Sequence, residues 1–268
     1  MITTIGFPFD DHSSFLRGPA KGPAAIRKAF HSPSSNYFSE TGTDLQDHLS
    51  LVDVGDLDLS DTQKIIEKIS KKVEEIVKKS SKIVCLGGDH SITYPIIKGV
   101  SAHYDNLNIL HIDAHADVYD DFEGNKFSHA CPFARIMESK LAKRLVQVGI
   151  RTLNDHQRNQ IKKFGIETIE MRDWTDHHKL KFDGPLYISL DMDAFDPAYA
   201  PGVSHHEPGG FTTRQVISLI QNLEANIIGA DIVELNPDRD VNGITATLAA
   251  KMYKEIHAKM INPKTRDD

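Results

Sequence analysis

An α/β fold built on a mostly parallel central sheet is what the sequence predicts. Short apolar runs alternate with amphipathic stretches from Leu51 onward, which is the pattern of repeated strand-helix units. Several of these runs are nearly continuous, as strands buried on both faces require: Lys82 to Leu86, Leu107 to Ile112, Leu145 to Gly149, Pro185 to Leu190 and Ile227 to Val233. Clusters of aspartate and histidine follow directly on three of them.

The elements follow in order. Ser60 and Asp61 offer caps for a helix whose apolar face collects Ile65, Ile69, Val73 and Ile76 and which ends near Ser80. Thr212 or Thr213 caps a second helix through Val216, Ile220 and Leu223, and a last helix from about Thr245 carries Leu248, Met252 and Ile256. Arg17 to Pro23 and Ser32 to Asp47 have loop composition, and Asn262 to Asp268 is a polar tail. With no internal repeat or linker, residues 1–268 are expected to form a single domain.

A formal net charge of −7 argues against nucleic acid, whose binding draws on clustered Lys and Arg, and suits a small cationic ligand. Cys85 and Cys131 give no disulfide framework, so a reducing, cytoplasmic setting is expected. No segment approaches the roughly 18 consecutive apolar residues of a membrane span, and no secretory leader is evident.

Gly87-Gly88-Asp89-His90-Ser91 follows the first of the three strands, Asp113-Ala114-His115-Ala116-Asp117 the second, and Asp191-Met192-Asp193 with Asp196-Pro197 the third. If the backbone stays extended there, residues two apart share a face and their ligand-type side chains project together. Open α/β sheets bind ligands outside the carboxyl ends of their strands, where all three clusters fall. Each alone has a bland reading: His90 as an interior histidine, the Asp-x-His-x-Asp run as turn chemistry, Asp-x-Asp as chance. Together they supply His90, Asp113, His115, Asp117, Asp191 and Asp193, more groups than one ion needs. Two ions with Asp113 and Asp191 bridging would use every group and neutralise the four close carboxylates. Oxygen-rich ligation with two imidazoles and no thiolate favours two Mn²⁺ per chain, with other divalent metals possible.

These motifs, together with Gly6 to Asp10, Gly22 to Arg27 and Glu234-Leu235-Asn236-Pro237, resemble the ureohydrolase family of arginases, agmatinases and related amidinohydrolases. The resemblance spans most of the chain and implies a three-layer α/β fold, a parallel sheet of about eight strands, and a homo-oligomer, trimer or hexamer. It places one ion on His90, Asp113, Asp117 and Asp191, and the other on Asp113, His115, Asp191 and Asp193. It also places catalysis on His129, Glu234 and Asp117. Glu234 would pair with guanidinium nitrogens, and His129 would shuttle a proton to the leaving amine. Cys131 is expected to be a small loop residue, since no base or acid for a thiol nucleophile is evident.

The implied reaction is hydrolysis of a guanidino C–N bond with release of urea. Tyr119, Asn125-Lys126-Phe127-Ser128 and Thr152 depart from the arginase pattern, and Glu207-Pro208-Gly209-Gly210 looks more like agmatinase, so agmatine is the first expectation. Guanidinobutyrate or guanidinopropionate would need a cation, for which Lys126, Arg151 and Arg239 are candidates. Arginine stays a rival, and formimidoylglutamate is disfavoured by His129. His205 and His206, which replace a Thr-Pro seen in relatives, either line the entrance or are solvated, with solvation expected. From other classes, a metal phosphoesterase lacks a phosphate-cradling loop, and a catalytically inactive, metal-bound paralogue is opposed by the intact ligand set.

Overall fold

The structure, a computed structural model, describes residues 1–262 apart from positions 47, 49, 62 and 63. In chain order the elements are β1 (Ile2–Phe7), α1 (Gly22–Phe30), β2 (Leu51–Asp56), α2 (Ile65–Lys79), β3 (Lys82–Gly87), α3 (Thr93–Ser101) and β4 (Asn108–Ile112). There follow α4 (Pro132–Glu138), β5 (Arg144–Ile150), α5 (Asp155–Phe164), β6 (Glu167–Glu170), β7 (Lys181–Asp191), α6 (Thr213–Asn222), β8 (Glu224–Val233) and α7 (Ile244–Ile261). The eight strands form one sheet in the order β2-β1-β3-β8-β7-β4-β5-β6, and every pairing is parallel.

Alternation along β3 shows how the layers arise. Val84 and Leu86 join a core with Ile26 of α1, Val216 and Ile220 of α6, and Met252 and Ile256 of α7. Ile83 and Cys85 point the other way, toward Ile69 and Val73 of α2, Ile96 and Val100 of α3, and Phe133 of α4. Helices thus cover both faces, which is why the central strands are apolar at successive positions.

The five strands expected from apolar runs are β3, β4, β5, β7 and β8. Thr212 caps α6, accepting from Gln215 N in a capping box, and α7 starts one residue before Thr245. Two expectations need correction. Ser60 and Asp61 do not cap α2, which begins at Ile65 after Lys64 in a left-handed conformation with no side-chain cap bond. Gly22 and Pro23 belong to α1, because proline is tolerated in a helix's first turn, where its missing N–H would have no partner anyway. Of the expected loop and tail, Asp47 and residues 263–268 lie outside the described residues.

Candidate metal centre and substrate cavity

At the carboxyl ends of β3, β4, β7 and β8 the chain leaves the sheet through tight turns, and these build the site. Gly88 has no room for a side chain, since a Cβ there would lie 1.7 Å from Phe9 O. Its N–H donates to Phe7 O and its carbonyl accepts from Glu234 N, so it ties together the ends of β1, β3 and β8. The extended backbone expected after β4 and β7 is not what gathers the aspartates. Strand structure stops at Ile112 and Asp191, and carboxylates then hold the turns: Asp113 Oδ1 accepts from His115 N at 2.6 Å and Asp191 Oδ1 from Asp193 N at 2.7 Å. Asp193 Oδ1 also accepts from Ala114 N at 3.2 Å, which fixes one turn to the other.

All six expected ligand residues meet. His90 Nδ1 lies 3.1 Å from Asp113 Oδ2, 3.0 Å from Asp117 Oδ2 and 3.1 Å from Asp191 Oδ2. In a second lobe His115 Nδ1 lies 3.0 Å from Asp193 Oδ2 and 3.6 Å from Asp113 Oδ1. Asp113 therefore directs one oxygen into each lobe.

The fit to a cation rests on His90. Its Nε2 lies 2.9 Å from Ser189 Oγ, and that hydroxyl donates to Asp231 Oδ1 at 2.7 Å. Nε2 must then be the N–H in a neutral ring, which leaves the lone pair on Nδ1. Buried among three carboxylate oxygens, Nδ1 makes no hydrogen bond of acceptable geometry. A buried polar atom without a partner is rare, and a lone pair facing carboxylates is what a divalent cation satisfies. Without a cation, protons take its place. Burial would keep His90 neutral, yet the three carboxylates raise it well above the usual imidazole range. Burial and the charges of Asp193 and Asp113 push Asp191 well up, and burial brings Asp193 to about 6.

Two residues that orient this cluster were missed from the sequence. Asp231 is fully buried on β8 and accepts from Ser189, from Thr93 Oγ1 at 3.0 Å and from Tyr187 OH at 3.0 Å. His111, also fully buried, donates from Nε2 to Asp113 Oδ2 at 2.6 Å and accepts at Nδ1 from Gln147 Nε2 at 3.0 Å, while Phe133 stacks on its ring. Both ring nitrogens are spent, so His111 fits an orienting role rather than a ligand.

Above the cluster lies a cavity of about 240 Å³ that Asp117, His129, His205, Glu207 and Glu234 help to line. Glu234 Oε1 accepts from His90 N at 2.9 Å and sits 2.8 Å from His129 Nδ1, turned away from the sheet by a φ of 62°. Asp117 likewise has a φ of 50°. Left-handed backbone at non-glycine residues stores roughly 1–3 kcal/mol each and persists where the surroundings over-determine it, often at functional sites. Burial opposes a charge on His129, but Glu234 outweighs it and raises the imidazole to about 9. Asp89, pushed up to about 7 by burial and the charge of Glu234, accepts from His12 N, Ser13 Oγ and Ser91 N.

His205 is half-buried and lines the cavity, with its ring 5.3 Å from that of His129, contrary to the expectation that it is solvated. His206 is exposed and bonds Pro201 O at 2.7 Å. Arg151, a candidate for a distal carboxylate, spends its guanidinium on the carbonyls of Asp193, Ala194 and Glu207. Cys131 is a buried thiol just before α4, and burial pushes it up to about 12. No described helix is long and apolar enough to cross a membrane.

A parallel sheet covered by helices on both faces, whose strand ends gather four aspartates and two histidines beside a Glu–His pair, has the make-up of a metal-dependent hydrolase of the carboxylate–imidazole class. The chain belongs to the arginase family, whose pattern it matches over residues 1–258. It is 45% identical over 273 residues to mitochondrial arginase 1 of Arabidopsis thaliana, with 96% of this chain and 80% of that one covered. Among solved structures it resembles the arginase of Medicago truncatula, with a TM-score of 0.91, 43% identity and coverage of 97% of this chain and 87% of that one. It also resembles the agmatine ureohydrolase of Thermoplasma volcanium, with a TM-score of 0.83, 30% identity and coverage of 97% and 89%.

Proposed function

We propose that the protein hydrolyses the guanidino group of L-arginine to urea and ornithine with two Mn²⁺ ions bound by His90, Asp113, His115, Asp117, Asp191 and Asp193. The observation that carries the chemistry is the two-lobed cluster sharing Asp113, with the lone pair of His90 Nδ1 facing three carboxylate oxygens. When bound, the ions would supply hydroxide near neutral pH to attack the guanidinium carbon.

The chain's own residues do the rest. Glu234, with Oε1 engaged by His90 N and His129, offers its remaining acceptor capacity to the forked N–H groups of a planar guanidinium. Asp117, at the boundary of cluster and cavity, would take up the proton of the attacking oxygen, and His129 would supply the proton that the leaving amine needs as the C–N bond breaks.

The tail of the substrate is read from the relatives. Similarity to the plant arginases exceeds that to the agmatine ureohydrolase, which supports arginine over the agmatine expected from the motifs. Agmatine is kept as the second reading, because Glu207 lines the cavity with a carboxylate suited to an amine and no Lys or Arg is among the described lining residues. That same lining disfavours the guanidino acids, whose lone carboxylate would lack a cation. As the working organisation we take residues 1–268 acting as one unit, in a homo-oligomer, in a reducing compartment such as the cytoplasm.

The test is urea release by Mn²⁺-loaded protein from arginine, agmatine, guanidinobutyrate and guanidinopropionate, with formamide release from formimidoylglutamate measured alongside. Preference for arginine supports the reading, preference for another substrate corrects the tail, and silence on all defeats the proposed chemistry.

A further inference from the structure

Ser14 makes two contacts with the same atom of His129. Its backbone N–H points at Nε2 from 3.1 Å and its Oγ lies 2.7 Å away. His129 Nδ1 faces Glu234 Oε1 at 2.8 Å and must carry a hydrogen there, so in the neutral ring Nε2 holds the lone pair. The backbone N–H can serve only that neutral ring, whereas the hydroxyl can donate to the lone pair or accept from an Nε2–H. Ser14 is itself exposed and lines the cavity, while His129 is buried.

The loop that carries Ser14 is held at many points. Asp89 Oδ2 accepts from His12 N and Ser13 Oγ, and Asp10 Oδ2 accepts from Gly18 N and Ala20 N. His129 N donates back to His12 O at 3.1 Å, so loop and histidine are fixed to each other. A side chain placed this firmly on a shuttle atom is more than a loop filler.

We propose that Ser14 Oγ is the proton port of His129, the hydroxyl through which the imidazole passes its Nε2 proton to the cavity and regains it. The step rests on the hydrolysis proposed above. As the C–N bond breaks with its electron pair going to nitrogen, Nε2–H gives its proton to Ser14 Oγ while the Ser14 O–H gives its own to the leaving amine. The imidazole ends neutral with Nδ1–H still on Glu234, and the same path in reverse recharges it from water.

The test compares wild type, Ser14→Ala and Ser14→Thr by kcat and KM across pH, by bound Mn²⁺, and by ¹⁵N NMR titration of the His129 ring. Removing the hydroxyl should lower kcat about 10-fold or more with KM and metal content little changed, and Ser14→Thr should recover most of the loss. The His129 midpoint should fall by about one unit in Ser14→Ala, because the acceptor for the imidazolium is gone while the backbone N–H that favours the neutral ring stays. Glu234, Asp89 and Asp117 face that ring with negative charge and His12 and His205 with imidazoles, and none is altered by either substitution. Unchanged kcat at every pH, or a loss that Ser14→Thr fails to recover, overturns the proposal. If wild type cleaves no guanidine, the proposed function fails by itself and the NMR decides the port: a shifted His129 supports it and an unmoved one sinks it.

Discussion

Ser189 Oγ donates to Asp231 Oδ1 at 2.7 Å, and this one bond decides which nitrogen of His90 faces the carboxylates. With its hydrogen committed, the hydroxyl can only accept from His90 Nε2–H. Ser189→Ala frees the ring to turn or to take the other tautomer, and Mn²⁺ affinity should drop about 10- to 100-fold. Equilibrium dialysis of both proteins measures this; an unchanged affinity would mean the ring is held by other contacts.

Metal uptake should displace protons. His90 and Asp191 are raised well above their usual ranges and Asp193 reaches about 6, so in acid these positions hold protons where a cation would bind. Affinity should rise with pH through about 6 and fall steeply below it, with net proton release on binding. Calorimetry in buffers of different ionisation enthalpy detects that release, and a pH-independent affinity would contradict the ligand set.

His129→Asn should leave bound metal unchanged, since the nearest partners of His129 are Glu234 and Ser14 rather than the cluster. Turnover should fall about 10²-fold or more through loss of the proton carrier. Equal turnover in the variant would remove His129 from the mechanism.

Gly88→Ala should be severe. The added methyl would collide with Phe9 O, the acceptor for Asp89 N at 2.9 Å, so the loop after β1 must move. We expect a loss of about 3 kcal/mol or more in urea unfolding, together with weakened metal binding. A variant as stable as wild type would show that this junction can yield.

His257 should make the fold acid-sensitive independently of the metal site. It is fully buried on α7, donates from Nδ1 to Tyr253 O at 2.9 Å, and burial lowers it to about 4. The unfolded chain, with an ordinary histidine near 6.5, binds the proton more readily, so the contribution is whole above about pH 6.5 and is lost as pH falls toward 4. The upper bound is about 3 kcal/mol. His257→Gln should flatten the difference between unfolding midpoints at pH 7 and pH 4.5, and an unchanged difference would place the titration elsewhere.

Apolar continuity made five strands legible, and the Asp and His clusters at three strand ends announced the cluster they form. β1 was passed over because Thr3 and Thr4 interrupt its apolar character; both hydroxyls are buried, Thr3 on Ser80 and Thr4 on Tyr253. β2 is mostly exposed and β6 is four residues long, so neither carries the signature of a central strand. His111 and Asp231 escaped notice because nothing adjacent in sequence distinguishes an orienting histidine or aspartate inside an apolar run; their partners Gln147, Ser189 and Thr93 come from other strands and turns. The half-buried setting of His205 is illegible for a similar reason, since the rings around it belong to Phe15, His115 and His129, all distant in the chain and within 6 Å in space.

The position of β8 in the sheet constrains how the protein holds together. In the sheet order, β8 (Glu224–Val233) stands between the strand groups β2-β1-β3 and β7-β4-β5-β6, and without it each group would present an open edge. His90 belongs to one group and the aspartates to the other. β8 is therefore the strand that joins the two parts of the ligand set, and metal binding should depend on it. Truncation before Glu224 should leave two unsealed sheet edges prone to pairing with other chains.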